Sequence, residues 1–169
     1  MRTKMLVAIC CATLLGCTQE MPRRERLMET EAVQQRLAAW VQTQNDLFVN
    51  GLNRSLLDSL GTYYEHTDAL EGFWPTGGRT VGWEQFNDRM GQFYARFQFM
   101  NVVVTDPSVE LFGPNAALTT FRHSTDVLLG PRARVVHPGA GTLMWAKDPT
   151  DGVWRIHLQH LSWDAPSLN

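Results

Sequence analysis

Cysteine is scarce in this chain: three occur in 169 residues, Cys10, Cys11 and Cys17, and none lies beyond position 17. A fold made from the remainder is held by its core alone, without disulfides. Long apolar runs are also missing. The longest, Met5 to Leu15, has 11 residues, short of the roughly 20 an apolar helix needs to span a bilayer. Basic excess is absent too. Residues 1–16 contain Arg2 and Lys4 but no acid, so removing them from 15 basic and 17 acidic residues leaves a net charge of −4. Such a surface offers no basic face for nucleic acid. Metal-binding spacing is lacking: His157 and His160 are three apart on a candidate strand, which sends them to opposite sides, and no Glu-x-x-His occurs. Neither a glycine-rich phosphate loop nor Gly-x-Ser-x-Gly is found. No metal and no cofactor is expected.

What is present begins at the N-terminus. The cationic Met1-Arg2-Thr3-Lys4 precedes the apolar run, the layout of a secretory signal. The run closes on Leu14-Leu15-Gly16-Cys17, which resembles the lipobox of bacterial lipoproteins. That resemblance implies lipidation of Cys17 and cleavage before it, giving an exported protein anchored in the cell envelope. Thr18, where inner-membrane lipoproteins often carry Asp, makes the outer membrane, facing the periplasm, the expected address. The organisation then reads as signal peptide 1–16, lipidated Cys and polar tether 17–30, one domain 31–163, and a tail 164–169. Six Trp and eight Phe can supply that domain's core.

Within the domain, Val33, Leu37, Trp40 and Val41 recur at helical spacing, and Leu47 and Phe48 extend the stripe, predicting a helix over 31–50. Asn53 as cap and Gly61 as stop bound a second helix over 54–60. Residues 63–67 read as a brief strand and 71–80, rich in Gly and Pro, as a loop. Trp83, Phe86, Met90, Phe93 and Phe97 form one stripe of a third helix over 83–97. The period then becomes two. Strands are predicted over 99–111, with a break near Asp106-Pro107, and over 116–128, 134–147 and 153–163. Helices followed by a meander of long antiparallel strands indicate an α+β fold with the helices on one face of a curved sheet.

The last strand carries Trp154, His160 six residues on, and Ser162 two later. The order resembles the closing strand of nuclear transport factor 2-like domains, above all the SnoaL-like group and the association domain of calcium/calmodulin-dependent kinase. Support comes from Asp106 to Gly113 followed by Asn115-Ala116-Ala117, from Thr142-x-x-Trp145, and from Gly82-Trp83-Glu84. The resemblance spans Val33 to Ser162. It implies a cone in which a strongly bent sheet wraps a long helix around a pocket, and a homodimer formed through the outer sheet face. The group includes isomerases, cyclases, dehydratases and proteins that bind without catalysing, so the fold does not give the function.

Simple alternation puts Trp154, Ile156, Leu158, His160 and Ser162 on the inward face of the last strand. His123 stands where the kinase association domain has a pocket Arg, and keeps a switchable charge near neutral pH. Leu143 replaces another basic position of that domain, which speaks against its type of anionic ligand. The first helix has no Tyr, and neither Asp68 nor Glu71 aligns with the steroid-isomerase base, so that chemistry is not supported. The expected pocket comprises Tyr64, Trp83, His123, Trp145, His160 and Ser162, with His123, His160 and Tyr64 as the catalytic candidates. Three functions follow: a non-catalytic binder of a small apolar or aromatic molecule, an isomerase, dehydratase or cyclase using His160 or His123, or a dimeric assembly module.

Overall fold

A computed structural model describes residues 21–129 and 133–164. The expected signal, the expected lipidation site Cys17 and the last five residues lie outside this range. The elements run α1 (Arg23–Asp46), α2 (Arg54–Gly61), β1 (Glu71–Phe73), β2 (Arg79–Val81), α3 (Trp83–Tyr94), β3 (Phe99–Leu111), β4 (Ala116–Leu128), β5 (Arg134–Lys147) and β6 (Trp154–Trp163). One curved six-stranded sheet has the order β2-β1-β6-β5-β4-β3. All its pairs are antiparallel except β1 with β6. This is the expected α+β architecture.

Helix α1 starts eight residues before the expected position, so 23–30 is helix and not tether. Pro22 fixes the entry, with its carbonyl accepting from Arg26 N at 2.9 Å, and neither Gly nor Pro interrupts 23–46. Two tertiary bonds hold this first part. Glu29 accepts from Lys147 Nζ at 2.6 Å and from Trp154 Nε1 at 2.9 Å, tying the helix to β5 and β6. Further along, Val33, Leu37, Trp40, Gln44 and Leu47 are buried at alternating spacings of four and three, one face laid into the sheet. Asn45 on the flank pairs with the β3 edge, donating to Val102 O (3.0 Å) and accepting from Val102 N (2.7 Å).

The predicted loop at 71–80 is a β-hairpin, with Gly77 and Gly78 both at positive φ in its turn. The predicted strand at 63–67 is reduced to a single bridge between Tyr64 and Ile156. Strand β3 is irregular between Thr105 and Ser108, where Asp106 has φ 51°.

Two glycines let the sheet close over its contents. In the β4–β5 register Phe121 faces Gly141 and His123 faces Gly139. A Cβ at Gly141 would lie 2.3 Å from the Phe121 ring, and one at Gly139 would lie 2.0 Å from Ser162 O and 2.7 Å from His123 Nε2. Both rings therefore occupy space that only glycine leaves. Phe86, Trp145, Leu143, Ile156 and Leu60 are fully buried in the core.

Candidate ligand pocket in the cone

Between α1, α3 and the sheet lies a cavity of about 30 Å³. Its walls are Trp40 and Gln44 from α1, Phe93 from α3, Met100 and Val102 from β3, Phe121, His123 and Thr125 from β4, and Leu161 and Trp163 from β6, with Pro75 from the hairpin turn. This volume holds one or two water molecules. An apolar cavity that takes a benzene ring is larger, about 150 Å³. Pro75, Leu161 and Trp163 are half-buried and the other lining residues buried, so the cavity meets the surface at these three. Trp163 stacks face to face on His137 with centroids 4.1 Å apart, and its ring lies 6.2 Å from that of Phe93.

The polar content of the wall is small. Gln44 is 4% exposed, and its Oε1 accepts from the Tyr94 hydroxyl at 2.8 Å. His123 Nδ1 lies 3.1 Å from Thr125 Oγ1. Gln44 Nε2 and His123 Nε2 are the buried side-chain polar atoms left without a hydrogen-bond partner among the described residues. Burial lowers the His123 pKa below its ordinary 6.5, while the carbonyls of Ser162 and Ala140 act in the opposite sense. Among the described residues no Asp, Glu, Lys or Arg lines the cavity. Among the described residues no three His, Cys, Asp or Glu side chains gather as a metal site would require.

Of the six residues expected in the pocket, His123 lines the cavity and five lie elsewhere. Tyr64 is buried and borders a separate polar groove with Glu65 and His66; its hydroxyl accepts from Trp40 Nε1 at 2.9 Å and donates to Gln159 Oε1 at 2.7 Å. Burial raises its pKa, and both hydrogen-bond directions are already in use. Trp145 is core, donating to Thr119 Oγ1 at 3.0 Å. Trp83 stacks on His66 at 3.8 Å, with its edge against Gly61.

His160 and Ser162 are the correction. Both are on the outer face of the sheet: His160 is exposed and edge-on to Phe73, and Ser162 donates to Ala140 O at 3.3 Å. The cause is a bulge. Met144 pairs with Leu158 but Trp145 pairs with Ile156, so His157 is the extra residue and the alternation reverses after it. Gln159, Leu161 and Trp163 turn inward instead. The bulged His157 meets Glu65, Nδ1 to Oε2 at 2.6 Å. That pair adjoins a polar groove of about 550 Å³ bounded by Glu65, His66, Lys147 and Arg155. Its cations are matched by acids: Lys147 with Glu29, and Arg155 with Asp148 and Asp151.

Gln44 is the functional candidate that sequence reasoning missed. Its signal was its place on the apolar stripe, between Trp40 and Leu47, where a polar side chain is out of pattern.

No protein-family model matches the chain, and no curated protein matches it. Solved structures do. A scytalone dehydratase-like protein from Novosphingobium aromaticivorans superposes with TM-score 0.70 at 10% identity, over 84% of this chain and 88% of that one. Hexachlorocyclohexane dehydrochlorinase LinA-type3 from Novosphingobium barchaimii gives 0.65 at 14%, over 85% and 92%. A nuclear transport factor 2-like superfamily protein from Salmonella enterica gives 0.62 at 20%, over 85% and 94%. At such identities the likeness establishes architecture, and the architecture is the α+β cone of the nuclear transport factor 2-like, SnoaL-like proteins.

Proposed function

We propose that this chain is an exported, lipid-anchored domain that binds a small apolar or aromatic molecule in its cone and does not transform it. The observation that carries the reading is the composition of the cavity wall: four aromatic rings, Trp40, Phe93, Phe121 and Trp163, with His123 as its one group that titrates near neutral pH. Small-molecule sites have this balance of much apolar surface and few polar groups. Binding a ring requires the cavity to widen, and the half-buried Pro75, Leu161 and Trp163 are the part of the wall that reaches the surface. The anchor rests on the lipobox resemblance at Cys17, and envelope localisation follows from it.

The enzymatic alternative draws on neighbours named dehydratase and dehydrochlorinase and on His123. Acid–base catalysis calls for two or more converging titratable groups, and among the described residues the cavity wall supplies no carboxylate to work with His123. The binder is therefore the reading we hold.

The outer sheet face supports a homodimer. Leu118, Met144 and Leu158 stand side by side across β4, β5 and β6, and Met144 is 40% exposed. Thr120, Thr142 and His160 form the next row. A second copy related by twofold symmetry would cover this row with its own.

A thermal-shift screen of small aromatic compounds tests the binding. A ligand at a hundred times its Kd stabilises the folded state by about 2.7 kcal/mol, and Trp40 and Trp163 at the site give a fluorescence change as a second readout. A set of such compounds that neither raises the melting temperature nor perturbs fluorescence would remove the reading.

A further inference from the structure

An apolar pocket accounts for the wall apart from Gln44 and the His123–Thr125 pair. We infer that the cone selects an uncharged small molecule carrying a hydrogen-bond acceptor, such as a ketone, aldehyde or ester oxygen on a compact ring, and that Gln44 Nε2 is the group that reads it. This rests on the reading of the cone as a binding pocket and names the ligand class for it.

The geometry of the amide supports the assignment. Tyr94, buried on α3, donates to Oε1 and so occupies the carbonyl side of Gln44. Nε2 remains without a partner on a residue that lines the cavity. A buried N–H left unmatched is unfavourable by about 1–3 kcal/mol, and Met or Leu would fill the same position on α1 without that penalty. An acceptor oxygen on an occupant removes it. Thr125 is already engaged with His123 Nδ1. The other unmatched atom, His123 Nε2, lies on the Gly139 and Ser162 side, where the Ser162 and Ala140 carbonyls act on the ring. That leaves Gln44 as the amide donor available to an occupant.

The absence of charge follows from the same wall. Among the described residues no Lys or Arg faces the cavity to balance an anion, and no Asp or Glu faces it to balance a cation. Burial also favours the neutral form of His123. A carboxylate or ammonium entering here loses its hydration without compensation. The aromatic walls favour a ring, and a cavity that must already widen to admit one favours no more than a single ring.

The test compares acetophenone, ethylbenzene and benzoate on the purified full chain and on Gln44→Met, with Kd measured by calorimetry. Acetophenone offers an acceptor that ethylbenzene of similar shape lacks. In Gln44→Met, acetophenone binding weakens about tenfold, while ethylbenzene stays within about twofold of its original value. Benzoate binds the unaltered chain at least about tenfold more weakly than acetophenone. Tyr94→Phe keeps Gln44 in place but frees its amide; acetophenone then weakens by about threefold, which keeps the test open if Gln44→Met fails to fold. Equal losses for acetophenone and ethylbenzene would overturn the role of Gln44. Benzoate binding as tightly as acetophenone would overturn the neutral class. If ethylbenzene binds and acetophenone shows no dependence on Gln44 or Tyr94, the pocket stands and the inference fails. If neither compound binds, the pocket reading falls and takes the inference with it.

Discussion

The Tyr94 hydroxyl donates to Gln44 Oε1 at 2.8 Å, joining α3 to α1 beneath the cavity and leaving the amide nitrogen unmatched. This bond is buried on both sides, so each partner depends on the other. Tyr94→Phe should destabilise the fold by about 1 kcal/mol. Gln44→Met should cost about 1–2 kcal/mol, because it strands the Tyr94 hydroxyl. The double variant should be less destabilised than the sum of the two by about 1 kcal/mol. Urea denaturation of the four proteins gives this cycle; strict additivity would mean that the hydrogen bond contributes nothing.

His123 gives a pH dependence of known sign. Its folded pKa lies below the unfolded value of 6.5 because burial disfavours the charged ring. The stability contributed by the neutral ring is therefore fully present above about pH 6.5 and is lost as pH falls through the folded-state pKa. His123→Gln has no such loss. The stability gap between the two proteins should narrow as pH drops from 7.5 towards 5, and parallel curves would contradict the assignment.

Gly141→Ala places a methyl group 2.3 Å from the Phe121 ring, between two central strands. Overpacking of this kind costs about 1–3 kcal/mol or more, a fall in melting temperature of several degrees for a domain of this size. An unchanged melting temperature would show that the sheet tolerates a wider spacing there.

Glu29 anchors the early part of α1 through Lys147 and Trp154. Burial alone would raise its pKa, but those two hydrogen bonds and the Lys147 charge bring it below the ordinary value. Glu29→Ala should cost about 1–2 kcal/mol and speed hydrogen exchange across 23–30 more than across 33–46. Uniform exchange along α1 would mean that the first two turns are held by other means.

These residues also show what was legible beforehand. Strands β4 and β5 matched their expected bounds because Gly113-Pro114-Asn115 and Asp148 to Gly152 mark the turns and the apolar residues alternate between them. The cap of α2 was legible for a similar reason, since Asn53 accepts from Ser55 N. The start of α1 was not, because Glu29 finds its partners more than a hundred residues away. The bulge at His157 was missed although it left a trace: the apolar residues fall at 154, 156 and 158, then at 161 and 163. That change of phase moved His160 and Ser162 out of the cone and brought Leu161 and Trp163 in. Gln44 was overlooked because the apolar members of its stripe predict the helix without it.

Met144→Lys tests the dimer. It places a charge in the middle of the Leu118–Met144–Leu158 row without touching the cone. Sedimentation should show a dimer for the unaltered chain and a monomer for the variant, with ethylbenzene binding retained. A monomer in both would remove the sheet face as an interface.

The most direct test of the central claim is an NMR titration of the full chain with acetophenone, following side-chain amide and indole signals. The account predicts saturable shifts of the Gln44 Nε2 protons and of the Trp40 and Trp163 indoles, with the Trp83 indole, outside the cavity, left in place. Shifts that do not saturate, or that appear at Trp83 and the outer sheet face while Gln44 stays unchanged, would contradict it.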